Sequence, residues 1–401
     1  MGINGKREYL EAIRERYERA TKKQKRKILD EFCCVCEYNR KYAIQLLNGT
    51  RKKHKRFGKK RTGRPKKYAD PILLEVIKRI WIALNLPCSK RLKAALPLWL
   101  PFYDAFYNTT LNDIQRSLLL SISPSTIDRL MSSIRALARK HGLCTTKPGS
   151  LLKQHVPINT DQWDETRPGF LEADTVAHCG TTTEGMYVLT VNCIDLATSW
   201  REQRAVWGKG ERGVLAVLQD IEQTLPFPIL GFDCDNGSEF LNWHIHKYYT
   251  DRPQPVKYTR SRPYHKNDNA HVEEKNWTLV RQYIGYQRLA QPNLAEQLND
   301  LYRSEWRLVM NFFVPSTKLI DKQRVGAKIK KVYDNPLTPF QRLLLCPEIS
   351  SITKEELKGV CSKLNPFILQ KIMKNKINAI LNQADPLPRY MEKVLLIELY
   401  W

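Results

Sequence analysis

At 401 residues the chain exceeds one ordinary core and suits three or four units of roughly 100 residues or a little more. Its 66 Lys and Arg against 41 Asp and Glu leave a net charge of +25, a long-range field that attracts polyanions and points to nucleic acid. No signal-peptide pattern opens the chain and no uncharged apolar run approaches the ~20 residues that span a bilayer, so a reducing, soluble compartment without membrane contact is expected.

The charge is uneven. Residues 1–70 hold 23 Lys and Arg but only 8 Asp and Glu, so +15 of the +25 sits in the first sixth of the chain. Residues 1–50 read as short helices of the size that suits a helix-turn-helix: Asn39 can cap a helix through Ala43, Ile44, Leu46 and Leu47, and Gly49 sits where a left-handed stop belongs. Cys33, Cys34 and Cys36, with His54 nearby, could begin a zinc site. No second ligand pair follows at finger-like spacing, which favours buried free thiols over a metal.

Residues 51–70 form a basic linker, with RKKHKRFGKKRTGRPKK from Arg51 to Lys67 and almost nothing apolar to bury. Gly63-Arg64-Pro65-Lys66-Lys67 resembles the core of an AT-hook, whose arginines lie in narrow A·T minor grooves. Thr62 stands where that motif takes Arg, so plain backbone contact by Arg64, Lys66 and Lys67, or a solvated linker, is the stronger expectation.

A second helical unit spans 71–145. Its clearest boundary is Ser123-Pro124-Ser125-Thr126, with Ser123 as N-cap and Pro124 at the first helical position. Ile127, Leu130, Met131, Ile134 and Leu137 recur behind it at helical spacing, and Arg129, Arg135, Arg139 and Lys140 lie beside that stripe. The basic set suits a recognition helix or a solvated face, and Arg129 is taken as a DNA contact.

From about 165 to 290 the pattern changes to a mixed sheet. Met186–Ile194, Thr198–Val206, Ile229–Cys234 and Val256–Thr259 read as strands, with helices over Glu211–Leu225 and Phe240–Tyr249, in the order β-β-β-α-β-α-β-α. Residues 291–401 read as mostly helical, with an irregular basic stretch around Lys318 to Lys331.

Three acids stand out against this frame. Asp174 lies inside the first strand among apolar residues, where an ionised carboxylate is costly unless paired or metal-bound. Asp235 closes the strand ILGFDC and enters the turn Asn236-Gly237-Ser238-Glu239-Phe240, a good position for a crevice site. Glu273 lies just inside a helix that begins near Asp268-Asn269-Ala270, which can return a side chain over the sheet. Each acid alone has a bland reading, because Glu172, Asp195 and Asp233 also sit on or beside these strands.

The blocks PGFLEADTVAH with Asp174, DNGSEF with Asp235 and NDNAHVEEKNW resemble those of the DDE transposases and retroviral-type integrases. In the third block Val272, Glu273 and Asn276 align, which assigns Glu273 and leaves Glu274 the fallback. There are 37 residues between Asp235 and Glu273, and the resemblance covers about residues 165–290. Less specifically, its flanks resemble those of bacterial insertion-sequence transposases. The His-His-Cys-Cys module of retroviral integrases is absent and no small C-terminal β-barrel is recognisable, which argues against the retroviral subtype.

The resemblance implies an RNase H-like core with a mixed five-stranded sheet, preceded by helix-turn-helix units and followed by a helical region. It further implies two Mg²⁺ ions, replaceable by Mn²⁺, held by Asp174, Asp235 and Glu273, together with cleavage and joining of double-stranded DNA. Element terminal repeats and target DNA would be the partners, a dimer or higher oligomer the working form, and a bacterial nucleoid the setting. His265 and Lys266, ahead of the third acid, would contact a phosphate or remain a loop pair. The competing readings are a catalytically inactive DNA-binding regulator derived from a transposase, and an RNase H-like nuclease that cleaves without joining.

Overall fold

Alternating and continuous apolar runs in the middle of the chain, bracketed by sequences of helical period, produce a helix–sheet–helix order. A computed structural model of the chain describes residues 2–49, 67–138, 166–234, 239–240, 242–260, 276–325 and 328–385. It divides into two compact units, Met1–Lys67 and Tyr68–Trp401.

The first unit holds α1 (Ile3–Arg19), α2 (Lys22–Cys36) and α3 (Arg40–Leu47). A reciprocal capping box between Thr21 and Gln24 starts α2, and the Asn39 side chain accepts from the Lys41 backbone N–H to start α3. Their common core is Ile13, Tyr17, Ile28, Leu29, Phe32, Cys36, Ala43 and Leu47. Two cations of α1 close the other helices: Lys6 Nζ donates to the Cys36 carbonyl and Arg14 Nη2 to the Leu46 carbonyl, which answers the carbonyl-rich helix ends. Gly49 takes the expected left-handed turn at φ +64°.

In the second unit, α4 (Pro71–Ala83), α5 (Ser89–Tyr107), α6 (Asp113–Ser121), α7 (Pro124–Leu130) and α8 (Ser132–Ala138) precede the sheet. The Ser123 cap with Pro124 behind it is present. The helix expected to run on from there is instead broken at Met131 (φ −90°, ψ 0°), where the Ser132 hydroxyl bonds the Arg129 carbonyl and diverts a main-chain acceptor.

The sheet has five strands in the order β3-β2-β1-β4-β5: β1 (Phe170–Ala177), β2 (Val188–Asp195), β3 (Arg201–Trp207), β4 (Gly231–Cys234) and β5 (Lys257–Arg260). β1, β2 and β3 pair antiparallel, whereas β4 runs parallel to both β1 and β5. Parallel neighbours need crossovers, and α9 (Glu211–Thr224) and α10 (Trp243–Thr250) supply them. The expected mixed five-stranded sheet is therefore present, with β1 at its centre.

After a π-helical turn, Asn276–Arg281, and the short α11 (Gln282–Ile284), helices return as α12 (Pro292–Leu301), a second π-helical turn (Tyr302–Trp306) and α13 (Arg307–Phe312). The chain ends its described part with α14 (Pro339–Leu345), α15 (Ser351–Ser362) and α16 (Pro366–Leu381). The helices before and after the sheet share one core: Trp99 Nε1 donates to the Phe313 carbonyl at 3.0 Å, and Phe367 stacks on Phe106 at 5.1 Å between ring centres.

One expectation fails here. The basic stretch read as irregular is an antiparallel hairpin, β6 (Leu319–Val325) with β7 (Lys328–Tyr333). Among the described residues no helix is long and apolar enough to cross a membrane.

Candidate active site

Asp174 sits in the fifth position of β1, directly across from Asn192 of β2, which is in turn across from Gln203 of β3. Residues opposite one another share a face, so these three make a polar row across the sheet. Asn192 and Gln203 are buried, and buried polar groups must find partners. Gln203 Nε2 donates to Asn192 Oδ1 at 2.7 Å, and Asn192 Nδ2 donates to Asn276 Oδ1 at 2.8 Å. Asn276 Nδ2 then donates to Asp174 Oδ2 at 2.6 Å, and the Thr175 backbone N–H to Asp174 Oδ1 at 2.7 Å. The row thus ends on a half-buried carboxylate whose orientation is set from both sides.

The segment carrying Asn276 is clamped to the sheet. Arg281 Nη2 donates to the Ala177 carbonyl at the end of β1, and Arg288 Nη1 donates to the carbonyls of Cys179 and Thr182 just beyond it. Gly180, at φ +63°, lets the chain pass Arg288, because an added Cβ would stand 2.9 Å from Arg288 Cβ. Behind this clamp His178 is fully buried, with Nε2 at 2.8 Å from Thr190 Oγ1, itself 2.9 Å from the Tyr302 hydroxyl. Burial, aided by the Arg281 charge, pulls the imidazole down to about 3, so it stays neutral.

The neighbouring acids have structural employment. Asp195 is buried and accepts from Gly169 N, Thr198 N and the Thr198 hydroxyl; burial raises its carboxyl above the usual range, against those hydrogen bonds. Asp233 accepts from the Thr259 hydroxyl at 2.6 Å, between β4 and β5. Glu239 is buried and accepts from the Thr175 hydroxyl at 3.0 Å, so the residue after Asp174 ties β1 to the segment following β4.

Of the sequence-derived site residues, Asp174 is placed at the centre of the sheet. Asp235, Glu273, the fallback Glu274, His265, Lys266, Arg64 and Lys66 lie outside the described residues. Lys67 and Arg129 are exposed, and the Arg129 guanidinium bonds the Thr126 hydroxyl at 3.2 Å. Arg135, read as part of the same exposed basic set, is instead half-buried, paired with Asp128 and stacked 5.7 Å over the Trp81 ring. Arg139 and Lys140 lie outside the described residues. Asn192, Gln203, Thr175 and Glu239 were not singled out; the available signal was an asparagine inside the otherwise apolar run MYVLTVNCI.

Among the described residues no group of three or more His, Cys, Asp or Glu converges to hold a metal. Asp174 supplies a hard oxygen donor pre-oriented by Asn276, the donor type Mg²⁺ takes. Of the clustered thiols of the first unit, Cys36 is buried, Cys33 half-buried and Cys34 exposed.

No family model matches the chain. The uncharacterized protein y4rM of Sinorhizobium fredii (strain NBRC 101917 / NGR234) is 38% identical over 339 residues, which cover 84% of this chain and 94% of that protein. Among solved structures, the catalytic core domain of BIV integrase is similar at 16% identity over 43% of this chain and 91% of its own; its TM-score of 0.25 carries no argument for fold or activity.

Proposed function

This chain belongs to the same family as the uncharacterized protein y4rM of Sinorhizobium fredii, and we propose that it is a DDE-type DNA transposase or integrase. The observation that carries the reading is the 2.6 Å contact between Asn276 and Asp174, because it joins the third motif block to the first across 102 residues. Glu273 precedes Asn276 by three residues in that third block. Asp235 follows Cys234 directly, and Cys234 pairs with Ala173, the residue before Asp174. The mixed sheet and its helices are consistent with an RNase H-like core.

In this reading Asp174, Asp235 and Glu273 hold two Mg²⁺ ions, with Mn²⁺ able to substitute. When bound, the ions supply Lewis-acid stabilisation of attacking and leaving oxygens at a phosphodiester. The chain's own part is positional: Asn276 and the Thr175 N–H fix the Asp174 carboxylate, and the buried row behind them keeps Asn276 in place. The Met1–Lys67 helices and the exposed Arg129 recognise element ends, Arg64, Lys66 and Lys67 follow the backbone, and His265 and Lys266 approach the scissile strand. The protein acts on double-stranded DNA as a dimer or higher oligomer, in association with a bacterial nucleoid.

The test is Mg²⁺-dependent cleavage and strand transfer on DNA carrying the flanking element ends, with wild type and Asp235→Asn compared at matched DNA affinity. Joined products that vanish in Asp235→Asn while binding persists support the transposase. Nicked but never joined products turn the reading to a nuclease, and binding without nicking in Mg²⁺ or Mn²⁺ turns it to a regulator.

A further inference from the structure

The β6–β7 hairpin carries charge that the active site leaves unused. Its two strands read LIDKQRV and KIKKVY, with five Lys and Arg against one Asp. The register sets Lys322 opposite Lys331 and Gln323 opposite Lys330.

Among the side chains described, neither face of this ribbon is devoted to a core. Gln323, Arg324, Lys330, Lys331, Val332 and Tyr333 are all exposed. Side chains alternate along a strand, so consecutive exposed residues from Lys330 to Tyr333 mean that both faces meet solvent. Ile320 is 66% exposed and Tyr333 46%. A two-stranded hairpin with no buried face is marginal by itself, yet this one is mounted firmly. At its root the Lys318 N–H donates to Asp334 Oδ1 at 2.7 Å, and the Asp334 N–H donates back to the Lys318 carbonyl at 3.0 Å. Arg342 pairs with Asp334 and also reaches the Ser316 carbonyl, and Lys318 Nζ donates to the Ala197 carbonyl at 2.8 Å, just past the end of β2. Ser316 and Leu337 exchange backbone hydrogen bonds below.

A rigidly based, doubly exposed and cationic ribbon has the dimensions of a groove reader, since the major groove of B-DNA admits a two-stranded β-ribbon. We propose that the β6–β7 ribbon lies in a groove of double-stranded DNA, with Arg324, Lys330 and Lys331 on flanking phosphates and the exposed Ile320, Val332 and Tyr333 toward sugars and base edges. Phosphate contacts of this kind set register and carry the salt dependence, while contacts to base edges carry sequence. The inference rests on the reading that the chain works on duplex DNA, and it adds a contact surface that lies outside the three motif blocks.

The experiment uses the full chain and a fluorescein-labelled 30-bp duplex, followed by anisotropy over a salt series. Replacing Arg324→Gln, Lys330→Gln and Lys331→Gln together is expected to weaken binding tenfold or more at 0.1 M salt and to lower the slope of log affinity against log salt by up to ~2.7, at ~0.9 per phosphate contact. Acetylation of lysines in the wild-type complex, read by mass spectrometry, gives a second readout that needs no variant: Lys330 and Lys331 are protected when duplex is bound. A formed complex in which both lysines acetylate as in free protein, with an unchanged slope in the triple variant, overturns the ribbon while leaving the DNA reading intact. Wild type that binds no duplex overturns both. Equal protection by single-stranded RNA or polyglutamate overturns groove binding in favour of a general polyanion surface.

Discussion

The Asn276 side-chain amide lies 2.6 Å from Asp174 Oδ2, and the other end of the same amide accepts from Asn192. Asn276 therefore acts as a positioning residue, held by one buried amide and orienting one carboxylate. Partners of this kind typically change metal affinity or activity 10–100-fold when removed. We expect Asn276→Ala to lower Mg²⁺-dependent cleavage by that factor and to raise the Mg²⁺ concentration for half-maximal rate, with little change in thermal midpoint. Asn276→Asp should be worse, since it sets a second carboxylate against the first. An unchanged Mg²⁺ titration in a folded Asn276→Ala variant would sink this role.

His178 gives a pH prediction with a definite sign. The unfolded chain takes up a proton near 6.5, whereas burial keeps the folded imidazole neutral down to about 3. Stability from this group is thus complete above pH 6.5 and declines as pH falls toward 3, by an upper bound of about 3 kcal/mol at pH 4 for a shift of this size. His178→Gln removes the titration but keeps a group able to bond Thr190. The unfolding free energy of the variant should gain on wild type as pH is lowered from 7 to 4. A difference that stays flat over that range refutes the assignment.

How much of this was legible follows from which signals are local. The strands announced themselves because β2 is buried along its whole length and is mostly apolar, and the Ser123 cap lies in four consecutive residues. Asp174 and Asn276 were legible because each sits in a motif block. The Asn192–Gln203 relay was not, since those residues meet only through the register of β2 and β3. Arg135 was misread for a similar reason: its partners are Asp128, across the break at Met131, and Trp81 on another helix. The hairpin escaped because a ribbon wet on both faces shows no alternation of apolar and polar residues, which is the signal that normally betrays a strand.

Glu202 offers a test of the scaffold behind the site. It is buried and accepts from Trp200 Nε1 at 3.0 Å and Arg307 Nε at 2.5 Å, and it pairs with buried Arg204, which also reaches Asp220 of α9. Truncation by Glu202→Ala leaves Arg204 only Asp220 as its acidic partner and leaves Trp200 Nε1 without its acceptor. Breaking a buried pair from one side costs about 3–5 kcal/mol, and the urea midpoint should fall accordingly. Glu202→Gln, which can still accept from Trp200, should cost less. A loss below about 1 kcal/mol for Glu202→Ala would mean that the network contributes little.

Gly169 is the joint at which three strands meet. Its N–H donates to Asp195 Oδ1 at the end of β2, and its carbonyl accepts from both Leu230 and Gly231 at the start of β4. Its φ of +113° is a region that side chains rarely adopt, and an added Cβ would stand 2.4 Å from the Pro228 carbonyl oxygen, which cannot move without shifting β4. Gly185, at φ +71°, is a useful contrast, because a Cβ there meets only the end of the Arg288 side chain at 3.5 Å. Gly185→Ala should cost about 1–2 kcal/mol, the conformational penalty alone. Gly169→Ala adds a backbone collision and should cost about 3 kcal/mol or more, with loss of Mg²⁺-dependent cleavage because β1 and β4 are displaced together. Urea unfolding of the two variants side by side measures the difference, and equal costs would mean that the joint yields to the methyl group and that the spacing of β1 and β4 is less constrained than the geometry implies.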